Sequence, residues 1–104
     1  MTEVIDTLQN ELAYNSTITV GATSVKASLA KNRKSYVFRN SSTGGQVITL
    51  AFSNFSPAVA NNGIVLQAGQ FVADSNSQGY FCWSGEVQAI ADGAGATLSV
   101  MEAI

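Results

Sequence analysis

The side chains that could perform chemistry are few in this chain and are scattered along it. It has no histidine, one cysteine and seven carboxylates among 104 residues. A cysteine nucleophile needs a base or an electropositive setting to form its thiolate, and no imidazole is present to provide one. Cys82 stands between Phe81 and Trp83, which predicts a buried apolar thiol. The sequence predicts no catalytic residue, so an enzyme is the least favoured of three function classes considered.

Metal and cofactor sites are not predicted either. Residues 74–79 place oxygen-bearing side chains at alternate positions, as at the start of a calcium loop, but the twelfth position, where such a loop needs a bidentate carboxylate, is Gly85. Asp, Asn, Ser and Gly also suit an ordinary turn. One thiol without imidazoles does not supply a transition-metal ligand set. We therefore expect no metal and no cofactor.

The charged residues are sparse and separated by sign. Only 12% of the chain is charged, against about 25% in typical globular proteins. All five basic residues lie within residues 26–39, and no charge occurs within residues 40–73. Such blocks favour electrostatic steering between copies or towards a partner, or ion pairs within the fold. We predict that Arg33, Lys34 and Arg39 contribute to an assembly interface.

Nucleic acid is not an expected partner. Tyr36 and Phe38 interleave with the basic residues, as on some faces that bind single strands. Strand alternation, however, favours these two aromatic residues as core. A net charge of −2 also argues against general phosphate binding.

The first fifteen residues differ from the rest. Four apolar residues recur at helical spacing and form one narrow stripe: Val4, Ile5, Leu8 and Leu12. We predict a helical or extended N-terminal arm over residues 1–15 and assign these four residues to the assembly interface. A helix of about a dozen residues is marginal alone in water. It therefore needs a surface, on its own domain or on a neighbouring subunit.

From residue 16 onward the apolar period changes to two, with Gly, Asn and Ser turns between short runs. This pattern predicts an all-β fold, an antiparallel β-sandwich of about eight short strands, jelly-roll-like or immunoglobulin-like, over residues 16–104. One of the predicted strands is 80–83. The predicted core consists of Ile18, Val20, Leu29, Tyr36, Phe38, Ile48, Leu50, Phe52, Ile64, Leu66, Phe71, Val87, Ala89, Leu98 and Val100.

Several segments in order resemble a known group of proteins. They are residues 20–23, 32–42, 62–66, 68–71, 84–91 and 96–100. They resemble small structural proteins of tailed-phage virions, of the head decoration, cement or minor capsid type. Where that pattern has Pro-Gly, this chain has Ala68 and Gly69, which also suit a turn.

The resemblance implies a non-enzymatic protein of the capsid surface. Its implied partners are the major capsid protein or other virion proteins, together with further copies of itself in a homo-oligomer, for which we expect a trimer. No apolar run approaches the ~20 residues that span a bilayer, and the first residues lack a signal-peptide pattern. We therefore expect no membrane contact, and the resemblance implies synthesis in the host cytoplasm and location in the virion.

The alternative is a spike or tail-tip module that binds a host glycan or receptor. Trp83, Tyr80 and Phe55 would supply its aromatic platform if they were exposed near a loop end.

Overall fold

The computed structural model describes residues 12–104, which form eight β-strands. The strands are β1 (Ala13–Val20), β2 (Val25–Ser28), β3 (Ser35–Asn40), β4 (Ile48–Phe52), β5 (Ile64–Leu66), β6 (Phe71–Ser75), β7 (Val87–Ala91) and β8 (Ala96–Ala103). They form two antiparallel sheets, and the described residues contain no helix. The all-β prediction is confirmed, and the architecture is consistent with a β-sandwich.

The two sheets have four strands each. Sheet 1 has the order β1-β8-β3-β6, and sheet 2 has the order β2-β7-β4-β5. Each sheet therefore combines strands that are distant in sequence, so its ladders depend on long-range pairing. β8 lies between β1 and β3 over nearly its whole length.

β1 begins earlier than the sequence suggested. Its first three residues, Ala13, Tyr14 and Asn15, fall in the predicted arm but pair with β8. The ladder even continues to Leu12, which exchanges backbone hydrogen bonds with Ile104. The helical stripe predicted over Val4, Ile5 and Leu8 lies outside the described residues.

The core lies between the sheets and follows the alternation of each strand. β8 alternates buried with half-buried residues along its full length. The core includes an aromatic cluster, in which the Tyr36 ring lies 5.2 Å from that of Phe38 and 5.6 Å from that of Phe52. Centroid separations of about 4.5–7 Å are favourable for tilted and edge-to-face pairs.

Two residues of the predicted core lie at the surface instead. Phe71 pairs with Arg39 on the outer face of sheet 1 and is 63% exposed. Leu29 follows β2 just past a register shift between Lys26 and Ser28, which interrupts the alternation, and it is also exposed.

The predicted strand at 80–83 does not form. Its only ladder contact is an isolated bridge between Ser77 and Tyr80. The segment runs instead through a loop held by local bonds, in which the Cys82 amide donates to Asn76 Oδ1 and the Trp83 indole donates to the Glu86 carbonyl.

A long loop covers the outer face of sheet 2. This loop, residues 53–63, buries Ala58, whose amide donates to Ser24 Oγ. It also buries Thr49, whose Oγ1 accepts from the Asn61 amide. At its end Gly63 has φ +144°, and a Cβ there would lie 2.3 Å from the Leu50 carbonyl oxygen.

One buried side chain joins the sheets at the end where β3 finishes. Asn40 is fully buried, and its Nδ2 donates to the carbonyls of Gln46 and Leu66, at 2.8 and 2.9 Å. Its Oδ1 accepts from the Ser42 amide. Asn40 belongs to sheet 1 and Leu66 to sheet 2, so we call this set of contacts the amide tie.

Candidate functional site

The structure separates the basic residues predicted at an assembly interface. Arg33 is only 3% exposed, so its side chain is not at the surface of the chain. Lys34 and Arg39 are exposed. They stand five residues apart along β3, which corresponds to about 16 Å. They therefore do not form one basic patch.

The Arg33 guanidinium is used entirely within the fold. Its Nη1 donates to the carbonyl oxygens of Trp83 and Gly85, each at 2.9 Å. Its Nη2 donates to the Leu29 carbonyl at 2.9 Å and to Ser28 Oγ. Its Nε donates to a carboxylate, so the planar fork of five N–H groups is fully used.

That carboxylate is Glu102 on β8. Its Oε2 accepts from Arg33 Nε at 2.6 Å and from Ser28 Oγ, and its Oε1 accepts from Lys31 Nζ at 2.7 Å. Glu102 is in sheet 1 and Ser28 in sheet 2, so this cluster also joins the sheets. We call Ser28, Lys31, Arg33 and Glu102 the charged tie.

The environment of Glu102 favours its ionised form. Burial by itself raises the pKa of this carboxyl group, but hydrogen bonds from Lys31, Ser28 and Arg33 and the charge of Arg33 outweigh that effect. The pKa of Glu102 is therefore held below its usual value.

The cluster was missed from sequence because Glu102 lies 69 positions after Arg33 in the chain. One signal was available. In β8 the inward positions are Ala96, Leu98, Val100 and then Glu102. A carboxylate at an inward position needs a cationic partner in the core.

The other described carboxylates have partners as well. Asp74 accepts from the Tyr80 hydroxyl, Glu86 forms an ion pair with Lys26 at 3.3 Å, and Asp92 accepts from the Val47 amide. Within residues 12–104 no group of three or more His, Cys, Asp or Glu is arranged to hold a metal ion. Residues 74–79, whose spacing is like the start of a calcium loop, form the end of β6 and part of the loop after it.

Cys82 is buried, as the sequence predicted. It lies near the charged tie, and its thiol contacts the Arg33 carbonyl at 3.6 Å. Burial raises the pKa of Cys82, and the charge of Asp74 raises it further. The neutral thiol is thus the favoured form.

The same end of the sandwich presents large apolar side chains to solvent. We call it the apolar end: β1 and β3 begin there, β4 and β8 finish there, and the loop 76–86 crosses it. Phe55 is 94% exposed and Phe81 is 82% exposed. The exposed apolar residues at this end are Leu12, Tyr14, Leu29, Phe55, Tyr80 and Phe81.

The three aromatic residues of the alternative glycan platform do not behave alike. Trp83 packs into the fold, with its ring stacked on Phe52 at 6.3 Å and its Nε1 donating to the Glu86 carbonyl. Tyr80 and Phe55 are exposed. Trp83 therefore packs against the core and its own loop, whereas the other two rings face solvent.

The surface at the apolar end includes one concave region. Its lining contains Asn32, Lys34, Asn76, Phe81 and Ser84, next to the buried Cys82. A cation, two amides and an exposed ring here supply polar and apolar contacts in one place. Such a mixture suits a protein interface.

No helix among the described residues is long and apolar enough to cross a membrane. Searches of protein-family models, curated proteins and solved structures find no match to the chain.

Proposed function

We propose that this chain is a structural protein of a phage virion, a decoration or cement protein that binds the major capsid lattice and stabilises the head. It acts in several copies, as a homo-oligomer. The support comes from the order of its strand and turn segments, which resembles such proteins, and from a β-sandwich whose described charged groups are largely engaged in holding the fold together.

The apolar end is the observation that carries the proposal. Phe55 and Phe81 are almost fully exposed, and Leu12 and Leu29 are exposed at the same end. Large apolar side chains gathered on a small domain mark contact with another molecule. Aromatic side chains are also frequent among the residues that dominate interface energies.

Few charged side chains are exposed at the apolar end. Lys34 is at its surface, Lys31 is half-buried, and Arg33 and Glu102 are buried and paired with each other. A protein that attaches in many copies needs only modest affinity for each contact, because several contacts made together add avidity.

Binding to capsids that lack this protein tests the proposal. We expect the double substitution Phe55→Ser and Phe81→Ser to weaken co-sedimentation with such capsids at least about tenfold. Both residues are exposed, so the fold should be unaffected. Phe71→Ser is the matched control, because Phe71 is an exposed phenylalanine near the opposite end of β6.

Two results would overturn the proposal. One is the absence of the chain from mature particles of the source phage, measured by mass spectrometry. The other is equal capsid binding by the double variant and the Phe71→Ser control, which would remove the role of the apolar end.

A further inference from the structure

The four edge strands of the sandwich differ in how they avoid pairing with other chains. Exposed edges are usually protected by short length, charges, proline or bulges. β5 has three residues. β2 has four residues, contains Lys26 and is interrupted by a register shift. Both edges of sheet 2 are therefore protected.

The two edges of sheet 1 are unequal. β6 has five residues and contains Asp74, whose register partner Tyr36 faces inward. A charge at an inward position discourages pairing with a foreign strand. β1 has eight residues, none of them charged and none of them proline, and its register with β8 is continuous. Within residues 12–104, β1 is the edge without a protective feature.

Successive residues of β1 direct their backbone N–H and C=O groups to opposite sides of the strand. Leu12 and Ile104 exchange both backbone hydrogen bonds, at 3.2 and 2.7 Å. In an antiparallel ladder the residues that bond to one neighbour recur at every second position. The even-numbered residues of β1 therefore bond to β8. The odd-numbered residues point their N–H and C=O groups to the free edge: Ala13, Asn15, Thr17 and Thr19.

Side chains near this edge also lack cover. Tyr14 pairs with the buried Glu102, and Ser16 pairs with the buried Val100, so both stand at inward register positions. Tyr14 is nevertheless 52% exposed, and Ser16 is exposed too. At these two residues the inward face of β1 is thus uncovered, next to the free edge of the strand.

We propose that β1 of a second copy pairs antiparallel along this edge, about a two-fold axis at Ser16. This axis places odd-numbered residues of the two copies opposite each other, Ala13 opposite Thr19 and Asn15 opposite Thr17. The backbone N–H and C=O groups that point to the free edge therefore meet in hydrogen-bonded pairs. It also sets Tyr14 opposite Ile18 on the inward face. Aromatic and β-branched residues opposite each other stabilise a sheet.

The identity of the occupant follows from the strand itself. Two copies of β1 have equal length, a register that preserves both faces and no charge to repel, although each whole chain has a net charge of −2. A two-fold contact is also the commonest way in which identical chains associate. The unit in solution is then a dimer, in place of the trimer expected from the resemblance.

The pairing specifies how copies of the chain associate in the proposed homo-oligomer. It rests on the proposed function only because that function requires several copies. It can be tested on the purified full chain without capsids. Absence of a dimer in the unmodified chain would refute the pairing alone, whereas unchanged capsid binding by the apolar-end variant would refute the proposed function.

A charge-swap experiment tests both the edge and the register. Asn15 and Thr17 have exposed side chains on the outer face, so charged replacements are compatible with the fold. The Asn15→Lys/Thr17→Lys variant places like charges opposite each other across the axis. The Asn15→Glu/Thr17→Lys variant places opposite charges there.

We expect sedimentation velocity to show a dimer for the unmodified chain and for the Glu/Lys variant. The Lys/Lys variant should raise the dissociation constant at least about tenfold. Hydrogen exchange by NMR should show that amides 13, 15, 17 and 19 gain protection with protein concentration. The even-numbered amides should be protected at every concentration.

Three outcomes would overturn the pairing. The first is a monomer whose odd-numbered amides are protected at all concentrations, which would assign the edge to residues 1–11 of the same chain. The second is a trimer whose odd-numbered amides exchange freely. The third is a dimer that both charge variants leave equally intact.

Discussion

The charged tie and the amide tie perform the same task at opposite ends of the sandwich. Each places a buried polar group of sheet 1 in hydrogen bonds with sheet 2: Glu102 with Ser28, and Asn40 with the Leu66 carbonyl. The amide tie is neutral, and three hydrogen bonds are enough to satisfy it. The charged tie must also compensate two buried opposite charges.

The difference concerns what happens when one partner is lost. Loss of a neutral amide leaves a few carbonyl and N–H groups without hydrogen bonds, and each lowers the free energy of unfolding by about 1–3 kcal/mol at most. A buried ion that loses its partner remains charged in a medium of low polarity, which costs more. The two ends should therefore differ in sensitivity to substitution and to pH.

The largest effect is expected from Glu102→Leu. This substitution leaves the Arg33 charge buried without its carboxylate, and we expect the free energy of unfolding to fall by about 3–5 kcal/mol. Urea unfolding followed by circular dichroism measures the change. The double variant Arg33→Met/Glu102→Leu is the control, because it removes both charges and should recover much of the loss. A loss in the double variant equal to the sum of both single losses would contradict the coupling.

A smaller effect is expected from Asn40→Ala. It leaves the Gln46 and Leu66 carbonyls and the Ser42 amide without their partner, and partial entry of water should limit the cost to about 1–3 kcal/mol. The same unfolding measurement applies. A loss larger than that of Glu102→Leu would reverse the proposed ranking of the two ties.

The smallest effect, and the one that separates the ties most clearly, is the response to acid. Because the pKa of Glu102 is lowered in the folded chain, its ionised form stabilises the fold above the pKa of an unfolded glutamate, about 4.3. That stability should be lost progressively as the pH falls below this value, through the folded pKa.

Unfolding measured between pH 7 and pH 3 should show this loss in the unmodified chain and in Asn40→Ala. The loss should be reduced in Arg33→Met/Glu102→Leu. Parallel pH profiles for the unmodified chain and the double variant would assign the acid sensitivity to another carboxylate.

Much of the alternation of β8 and β3 was readable from sequence because large apolar residues recur at every second position, although Glu102 and Asn40 also face inward. Leu98, Val100, Tyr36 and Phe38 all lie in the core as predicted. Such strands are buried on one side, and their period of two fixes the register.

The errors arose where long-range contacts override local pattern. Residues 80–83 are all aromatic or apolar and so resemble a strand. The Trp83 side chain nevertheless bonds within its loop, and the Trp83 carbonyl accepts from Arg33. Phe71 looks like a core residue until its pairing with Arg39 places it on the outer face.

The candidate site was predictable only in part. The sequence predicted a surface suited to contact. Of the residues that it assigned there, Lys34 and Leu12 are exposed at the apolar end, whereas Arg39 is exposed on the outer face of sheet 1 away from that end. It did not reveal that Arg33 is occupied by a carboxylate 69 residues away. The residues next to Arg33 in sequence do not indicate that it is buried, because its partner Glu102 reaches it only when β8 pairs with β3.

The chain's one cysteine makes this part of the molecule observable without an engineered label. Cys82 belongs to the loop that Arg33 anchors, and its buried thiol contacts the Arg33 carbonyl, so a disulfide-forming reagent gains full access to it when that loop lifts. The rate of thiol modification therefore measures how often this end of the sandwich opens. Comparing that rate with the rate of global unfolding would tell whether this end opens independently of the rest.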